Sequence, residues 1–118
     1  MKHMFRMYAK EAEKPKYSGA EQQAEARVRY AFAREAQAAG VLLSINGLEP
    51  VTGAATMRAR NGKTLTTDDP FAETHEQLGG YYWLDCKDFD EAICWAARIP
   101  IAKIGTIEVR PLNAWSQK

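Results

Sequence analysis

The sequence predicts an α+β domain in which two strand–helix–strand units flank a β-hairpin. Three observations lead to this prediction: two amphipathic helical segments that begin at capping residues, an Asn61-Gly62 dipeptide between strand-like runs, and alternating strands around each helix. Right-handed crossovers place both helices on one face of a single sheet. The predicted order of strand, helix, strand, hairpin, strand, helix, strand is therefore ferredoxin-like.

The composition is that of one globular domain. The chain has 118 residues, of which 46% are hydrophobic and 26% charged, and its net charge is +1. A chain of this length buries enough surface to fold without disulfides or structural metals. Basic residues are scattered among acidic ones, which argues against a nucleic-acid-binding face. We expect a single domain over residues 1–112 and a C-terminal tail over residues 113–118.

The first strand–helix–strand unit begins with His3–Tyr8, which alternates as a strand with large side chains on both faces. Ser18 and Glu21 have the spacing of a capping box, and the helix that follows ends at Gly40. Val41–Ile45 is apolar enough for a second buried strand. The apolar stripe predicted for this helix consists of Ala24, Val28, Phe32, Ala36 and Ala39.

The hairpin is predicted at Asn61-Gly62, since both positions accept the positive φ of a two-residue turn. Its arms are Thr52–Arg60 and Lys63–Thr67. In the first arm, Arg58 and Arg60 alternate with apolar side chains. The face of the arm that carries the two arginines is therefore either solvated or turned toward a polar cavity, where the arginines would recruit an anionic substrate. Upstream, the lysine-rich segment Ala9–Tyr17 is predicted to be an exposed loop.

The second unit begins with the aromatic strand Gly80–Asp85. Asp88 and Glu91 form another capping box, and Pro100 stops the helix. Thr106–Arg110 is the last strand. The apolar stripe predicted for this helix consists of Phe89, Ala92, Ile93, Ala96 and Ile99.

The predicted topology leaves one face of the sheet without helices. Tyr8, Tyr81 and Trp83 are among the large side chains of strands that carry such residues on both faces. An open face with this much apolar surface is larger than a monomer usually exposes. We therefore expect a homodimer that packs sheet against sheet, with a cavity between the sheets.

The densest run of specialised residues is Thr67–Trp83, which holds a turn proline, a histidine, a glycine pair and three consecutive aromatics. Histidine side chains exchange protons near neutral pH, so His75 is a candidate acid–base residue that Asp68 or Asp69 would orient. The alternatives are structural: Asp68 as a local cap before the turn, and His75 on a solvated loop. Gly79-Gly80 either lets a ligand approach the backbone or forms a β-bulge.

Several kinds of site have no sequence signal. The two histidines and the unpaired Cys86 and Cys94 lack zinc spacing, no nucleophile elbow or phosphate loop is present, and no cofactor is predicted. We expect both cysteines to be reduced and structural, and the protein to be cytoplasmic, since no apolar run reaches membrane-spanning length. The ligand-binding side chains expected near the signature stretch are Arg6, Tyr8, Asp69, Phe71 and Tyr81.

Runs that cover almost the whole chain resemble one family, the YCII-related proteins, and specifically the branch named for its Asp-Gly-Pro-Phe motif. The matching runs include Gly62–Leu65, Pro70–Thr74, Glu76–Tyr82, Ala96–Pro100 and Gly105–Pro111. The resemblance implies a ferredoxin-like fold that dimerises into an α+β barrel, similar to muconolactone isomerases. The resemblance implies little about chemistry: some related members look like enzymes of aromatic-ring degradation, and many of the branch are encoded beside sigma factors, which suggests a link to transcriptional regulation.

Two positions depart from the family pattern. Asp69 stands where the branch has glycine. The histidine that related proteins carry on the first helix is absent, and Arg29 and Tyr30 occupy that region. The resulting hypothesis is a small dimeric enzyme that treats a ring-shaped or carboxylated metabolite by acid–base chemistry, with Asp68 and His75 as its catalytic residues. The alternative is a non-catalytic ligand-binding or interaction module.

Overall fold

The computed structural model of the chain describes residues 1–70 and 74–118. Within the first range, residues 14–16 are described by their backbone alone. A four-stranded antiparallel sheet has the order β2-β5-β1-β6, and β3 pairs with β4 in a separate ribbon. This is the predicted ferredoxin-like α+β fold, which is confirmed. The strands are β1 (Lys2–Ala9), β2 (Leu42–Gly47), β3 (Thr56–Arg60), β4 (Lys63–Thr67), β5 (Gln77–Asp85) and β6 (Thr106–Pro111), and the helices are α1 (Gly19–Ala38) and α2 (Phe89–Arg98).

The core lies between one face of the sheet and the two helices. Alternation along the central strands β1 and β5 sends Phe5 and the pair Tyr82 and Leu84 to the helix side. Their neighbours in sequence point to the opposite, open sheet face. The buried apolar residues are Phe5, Phe32, Ala36, Val41, Tyr82, Leu84, Cys86, Ala92, Trp95, Ala96 and Ile99.

Both ends of α1 follow the predicted capping signals. The Glu21 backbone N–H donates to Ser18 Oγ at 3.1 Å. At the other end Gly40 has φ +76°, and the Val41 and Gly40 N–H groups donate to the Ala36 and Gln37 carbonyls. This pair of bonds is a Schellman motif, which glycine favours because it adopts positive φ without strain.

The predicted apolar stripe of α1 is only partly correct. Phe32 and Ala36 are buried, whereas Val28 is 51% exposed and Ala24 is also exposed. Ala39, at the end of the helix, is exposed as well, so two of the five predicted positions are buried.

The stripe of α2 is shifted in a similar way. Asp88 Oδ1 accepts from the Glu91 N–H at 2.8 Å, as predicted, and Ile99 is buried beside the end of the helix. However, Trp95 joins the core, while Phe89 and Ile93 are about half exposed. The indole supplies more apolar area to the core than the isoleucine would.

Two predicted boundaries are corrected. Glu11–Lys16 is a 3-10 helix rather than an exposed loop, and the Glu11 carboxylate accepts from the Val51 N–H at 3.0 Å. A second short 3-10 helix, Val51–Gly53, replaces the start of the predicted first arm. The turn of the hairpin is confirmed, with Asn61 at φ 52° and Gly62 at φ 75°.

The glycine pair forms a bulge, as one of the two readings of the sequence predicts. Met7 pairs with Gly80 and Tyr8 pairs with Leu78, which leaves Gly79 as the extra residue of β5. A Cβ at Gly80 would lie 2.5 Å from the Asn46 carbonyl oxygen. Glycine is therefore required where β2 and β5 approach each other closely.

The segment after β6 is tied to the start of β1 by the side chain of Gln117. Its Oε1 accepts from the Lys2 N–H at 2.6 Å, and its Nε2 donates to the carbonyls of Lys2 and Leu112 at 2.8 and 2.9 Å. Among the described residues, no helix combines the length and apolar character needed to cross a bilayer.

We predict that Gly105→Ala destabilises the fold by about 1–3 kcal/mol, because overpacking that moves backbone costs this much. A Cβ at this position would lie 2.1 Å from the Tyr8 carbonyl oxygen, so backbone must shift. Urea unfolding measures the change. Gly19→Ala is the matched control, since no atom lies within 4 Å of a Cβ at Gly19, and it should leave stability unchanged or slightly raised. Equal unfolding midpoints for both variants would contradict the prediction.

The two cysteines are free, as predicted, but their environments differ: Cys86 is buried and Cys94 is exposed. Burial, helped by the nearby charge of Glu91, raises the pKa of the Cys86 thiol from 9.0 to about 11. Folding therefore favours the protonated thiol. This contribution to stability is fully present below pH 9 and is lost as the pH rises toward 11.

We predict that the fall in unfolding free energy between pH 9 and 11 becomes shallower in Cys86→Ala than in the unmodified protein. Urea unfolding at a series of pH values measures the slope, which separates the proton linkage from the loss of packing in the variant. Cys94→Ala, which removes the exposed thiol, is the control, and an equally shallow slope in this variant would contradict the prediction.

Candidate functional site

A cleft opens at the end of the sheet where β1 and β2 finish and β5 begins. Glu25 and Arg29, near the middle of α1, form its helix side. The cavity has a volume of about 390 Å³. Its apolar lining comes from Met7, Ile45, Leu48, Ile99, Pro100, Ile101 and Ile104, and its polar lining includes Glu11, Glu25, Arg29, Gln77 and Tyr82.

Arg29 and Glu25 form an ion pair on the α1 side of this cleft. Arg29 Nη1 lies 3.3 Å from Glu25 Oε1, one helical turn away. Both side chains keep access to solvent, which makes the pair itself worth only a few tenths of a kcal/mol. A ligand can therefore replace this contact at little cost.

Tyr82 forms the floor of the cleft. Its side chain is almost fully buried and stacks on Phe32, yet it also lines the cavity. Burial raises the pKa of the Tyr82 phenol, and the Arg29 charge partly opposes that rise. The hydroxyl is thus a neutral hydrogen-bonding group, within the electrostatic reach of Arg29.

Glu11 and Gln77 hold the rim of the cleft in place. The Glu11 N–H donates to Gln77 Oε1 at 2.9 Å, and Gln77 Nε2 donates to the Thr74 carbonyl at 2.7 Å. The Glu11 carboxylate also accepts from the Val51 N–H, so the side chains of Glu11 and Gln77 both form hydrogen bonds with backbone groups of the protein itself. We assign them a positioning role and leave Glu25, Arg29 and Tyr82 as the groups that can meet a ligand.

A second cavity, of about 460 Å³, adjoins the first and shares Ala9, Glu25, Ile101 and Ile104 with it. His75 and Tyr17 line this outer cavity. The two cavities are therefore neighbours, and Glu25 lines both of them.

The structure divides the catalytic residues predicted from the sequence. His75 lines the outer cavity, whereas Asp68 and Asp69 are exposed at the base of the hairpin and line neither cavity. The Asp69 carbonyl accepts from Thr56 Oγ1 at 2.7 Å. Phe71 lies outside the described residues. The functional roles predicted for Asp68, Asp69, Phe71 and His75 remain predictions.

The other predicted ligand-binding residues lie on the open sheet face. Arg6 pairs with Glu108 at 3.1 Å and its guanidinium lies 5.4 Å from the centre of the Tyr8 ring. Tyr81 lies beside Trp83, with ring centres 6.4 Å apart. Arg6, Tyr8 and Tyr81 are therefore close to one another in the sheet but on the opposite side from the cleft.

The family of the chain follows from its match to known proteins. A family model for the YCII-related domain matches residues 1–116. The chain belongs to the YCII-related family. An uncharacterized protein of Rhizobium meliloti (strain 1021) is similar to this chain, with 47% identity over 76 residues, which cover 63% of this chain and 61% of that protein. The match thus spans less than two thirds of the relative's length.

In this YCII-related protein, the sequence did not single out Glu25 as a residue of the cleft. Arg29 was noted only as a replacement for the histidine of relatives. The available signal was the Glu25–Arg29 spacing, which places opposite charges on one side of a helix. Among the described residues, no group of three or more His, Cys, Asp or Glu side chains is arranged to hold a metal ion.

We predict that Arg29→Gln raises the pKa of Tyr82 further, because the cation that opposes the effect of burial is removed. An alkaline NMR titration of ring-labelled tyrosine, with the Tyr82 signal assigned through Tyr82→Phe, measures the change. Arg27→Gln is the control: it removes an exposed cation of the same helix that lines neither cavity. An identical Tyr82 titration in both variants would show that Arg29 does not act on the hydroxyl.

Proposed function

We propose that this YCII-related protein binds a small carboxylated metabolite in the cleft below α1 and acts on it by acid–base chemistry. The supporting observation is the Glu25–Arg29 pair, at 3.3 Å, beside an apolar cavity whose floor is Tyr82. The cavity volume falls in the range of small-molecule sites, and a few polar groups in an apolar lining are typical of such sites.

Each polar group has a distinct task in this proposal. The Arg29 guanidinium pairs with the ligand carboxylate, for which its planar donors are suited. The Tyr82 hydroxyl donates a hydrogen bond and orients the ligand, while the apolar lining holds the ligand body. Glu25, released from Arg29 by the incoming carboxylate, accepts a proton from the ligand and returns it.

His75 is proposed as the second proton-transfer group, since it lines the neighbouring cavity, to which Glu25 also contributes. Asp68 is retained as a proposed participant on the strength of the sequence alone. We also propose that the chain belongs to the Asp-Gly-Pro-Phe branch of the family, on the strength of Asp68, Pro70 and Phe71, although Asp69 departs from the motif.

We further propose that the protein is a homodimer through the open sheet face. Both helices pack on the side of the sheet that carries Phe5, Tyr82 and Leu84, so the other face has no helix over it among the described residues. Trp83 is 38% exposed on the bare side, next to Tyr81. A second copy would remove these aromatic rings from water.

A second candidate function is a non-catalytic ligand-binding module linked to transcriptional regulation. It uses the same cleft but needs no proton transfer. Its support is the resemblance to a branch whose members are often encoded beside sigma factors. The two candidates differ in whether a bound ligand exchanges protons with solvent.

We predict that a screen of small carboxylic acids by ligand-detected NMR finds binders whose primary amides do not bind. Arg29→Gln should weaken their binding by tenfold or more, because a hydrogen bond to a charged group contributes about 1.5–3 kcal/mol. Arg27→Gln should bind as the unmodified protein does. Binding that is insensitive to Arg29→Gln, or equal for acids and amides, would refute the proposed site.

The binders are then incubated with the protein in deuterated water. Acid–base chemistry predicts deuterium incorporation into the ligand, loss of incorporation in Glu25→Gln with binding retained, and a smaller loss in His75→Ala. Asp68→Asn tests the prediction made from the sequence. Binding without incorporation would favour the non-catalytic module over the enzyme.

A further inference from the structure

We infer that the ligand of the cleft is an oxo acid, a carboxylic acid that also carries a ketone or aldehyde, whose carbonyl oxygen accepts a hydrogen bond from Tyr82. The inference rests on the proposed function, because it takes Arg29 as the group that binds the carboxylate and Glu25 as the group that moves a proton. It adds the class of substrate and the reason why the proton can be removed.

The Tyr82 hydroxyl is a hydrogen-bonding group that the described part of the chain leaves without a partner. The side chain is only 3% exposed. None of the hydrogen bonds within residues 1–70 and 74–118 involves its hydroxyl. A buried tyrosine hydroxyl usually has a partner. The partner of this one is therefore a molecule in the cleft, which is water in the free protein and the ligand in the complex.

This hydroxyl is accessible from the cleft rather than sealed in the core. In the described part of the chain, the one sealed polar side-chain atom without a partner is Nε2 of His3. The Tyr82 hydroxyl thus remains accessible to a water-sized molecule, and Tyr82 lines the cavity. The ring is held in place by its stacking on Phe32, with ring centres 5.5 Å apart. The hydroxyl is therefore a fixed donor in the site.

The surroundings of the hydroxyl favour an uncharged acceptor atom of the ligand. The Arg29 charge acts on the Tyr82 hydroxyl, and a cation favours an electron-rich atom nearby. A second carboxylate is disfavoured, because a single O–H cannot replace the hydration that the carboxylate would lose beside Tyr82. Glu11 and Glu25 in the lining also oppose further negative charge. A carbonyl oxygen is electron-rich and uncharged, so it meets both conditions.

The proposed acid–base chemistry requires a carbonyl as well. A glutamate carboxylate is a weak base, and a C–H bond beside a carboxylate alone is too weakly acidic for it. A ketone or aldehyde makes the neighbouring C–H bond more acidic, because its oxygen accepts the electron pair. Glu25 takes the proton, the C–H pair forms a C=C bond, and the carbonyl π pair moves to oxygen as an enolate. Return of the proton to carbon restores the oxo acid.

Tyr82 stabilises the enolate and keeps its own proton. A hydrogen bond from a neutral O–H becomes stronger as negative charge develops on the acceptor oxygen, which is how an oxyanion hole acts. Burial raises the pKa of the Tyr82 phenol, so the hydroxyl remains a donor throughout. Tyr82 is therefore a catalytic residue in this inference, in direct contact with the oxygen that becomes charged.

The first test compares acids that share a carbon skeleton and differ only in the carbonyl. The probes are 4-methyl-2-oxopentanoate and 4-oxopentanoate, with 4-methylpentanoate and pentanoate as their deoxy counterparts. Dissociation constants are measured by NMR titration. We expect at least one oxo acid to bind about two- to tenfold more tightly than its counterpart, which corresponds to one neutral hydrogen bond. Tyr82→Phe should remove this difference and leave the affinity for the deoxy acid unchanged.

Tyr81→Phe is the matched control, since it removes the hydroxyl of the neighbouring residue in the same strand, which lines neither cavity. It should leave the affinities for both acids unchanged. Tyr82→Phe keeps the ring that stacks on Phe32, so its urea unfolding midpoint should equal or exceed that of the unmodified protein. A lower midpoint would show that the hydroxyl serves the fold and would overturn the inference.

The second test measures deuterium incorporation at the carbon next to the carbonyl, in deuterated water and at saturating oxo acid. Tyr82→Phe should lower the rate at least tenfold, because the loss of one donor to a developing oxyanion typically costs a hundredfold or more. Tyr81→Phe should keep the rate of the unmodified protein. The rate in buffer without protein is subtracted.

The outcomes separate this inference from the proposed function. Deoxy acids that bind as tightly as oxo acids, with binding that depends on Arg29, would keep the carboxylate site and overturn the oxo acid. Equal binding of 2-hydroxy-4-methylpentanoate and its 2-oxo counterpart would do the same. A preference for oxo acids that depends on Tyr82, without deuterium incorporation, would support the ligand class and reject the enolate step. Binding of none of the probes would reject both the inference and the proposed function.

Discussion

The stacking of Phe32 on Tyr82 is the contact on which the rest of this molecule depends. The two rings lie 5.5 Å apart and nearly parallel, and Trp95 of α2 meets Phe32 edge-on at 5.9 Å. One aromatic cluster therefore fixes both helices to the sheet. The middle of α1, just before this anchor, supplies Glu25 and Arg29 to the lining of the cleft. Tyr82 serves the core and the site together, so ligand binding and core packing are linked through one side chain.

Local signals account for most of the fold that the sequence predicts. Ser18, Gly40, Asp88 and Asn61-Gly62 each act over a few residues, through a cap or a turn whose geometry the residue type determines. The order of the four sheet strands then follows from the handedness of the crossovers. The buried positions of the helices could not be predicted equally well. Helical periodicity defines a stripe, but only the position of the sheet decides which part of the stripe is covered.

The candidate site was harder to predict for a related reason. The density of unusual residues in Thr67–Trp83 suggested chemistry, and much of that density has a structural origin in a bulge and a central aromatic strand. The cleft residues Glu25 and Arg29 come instead from α1 and meet Tyr82 of β5, far away in the sequence. The proximity of these α1 residues to Tyr82 depends on tertiary packing, so it cannot be predicted from their spacing along the chain. His75 was identified because it is a rare residue type, not because its surroundings were visible.

The amide of Gln117 has a consequence for how the chain can be joined to other segments. The side-chain amide forms hydrogen bonds with both backbone groups of Lys2 in β1, as a peptide group of a neighbouring strand would. These bonds bring residues 2 and 117 together at one corner of the sheet. The cleft opens at the far end of β1. The polypeptide path is therefore nearly a closed ring, and a short linker between these residues would allow circular permutation with new ends elsewhere.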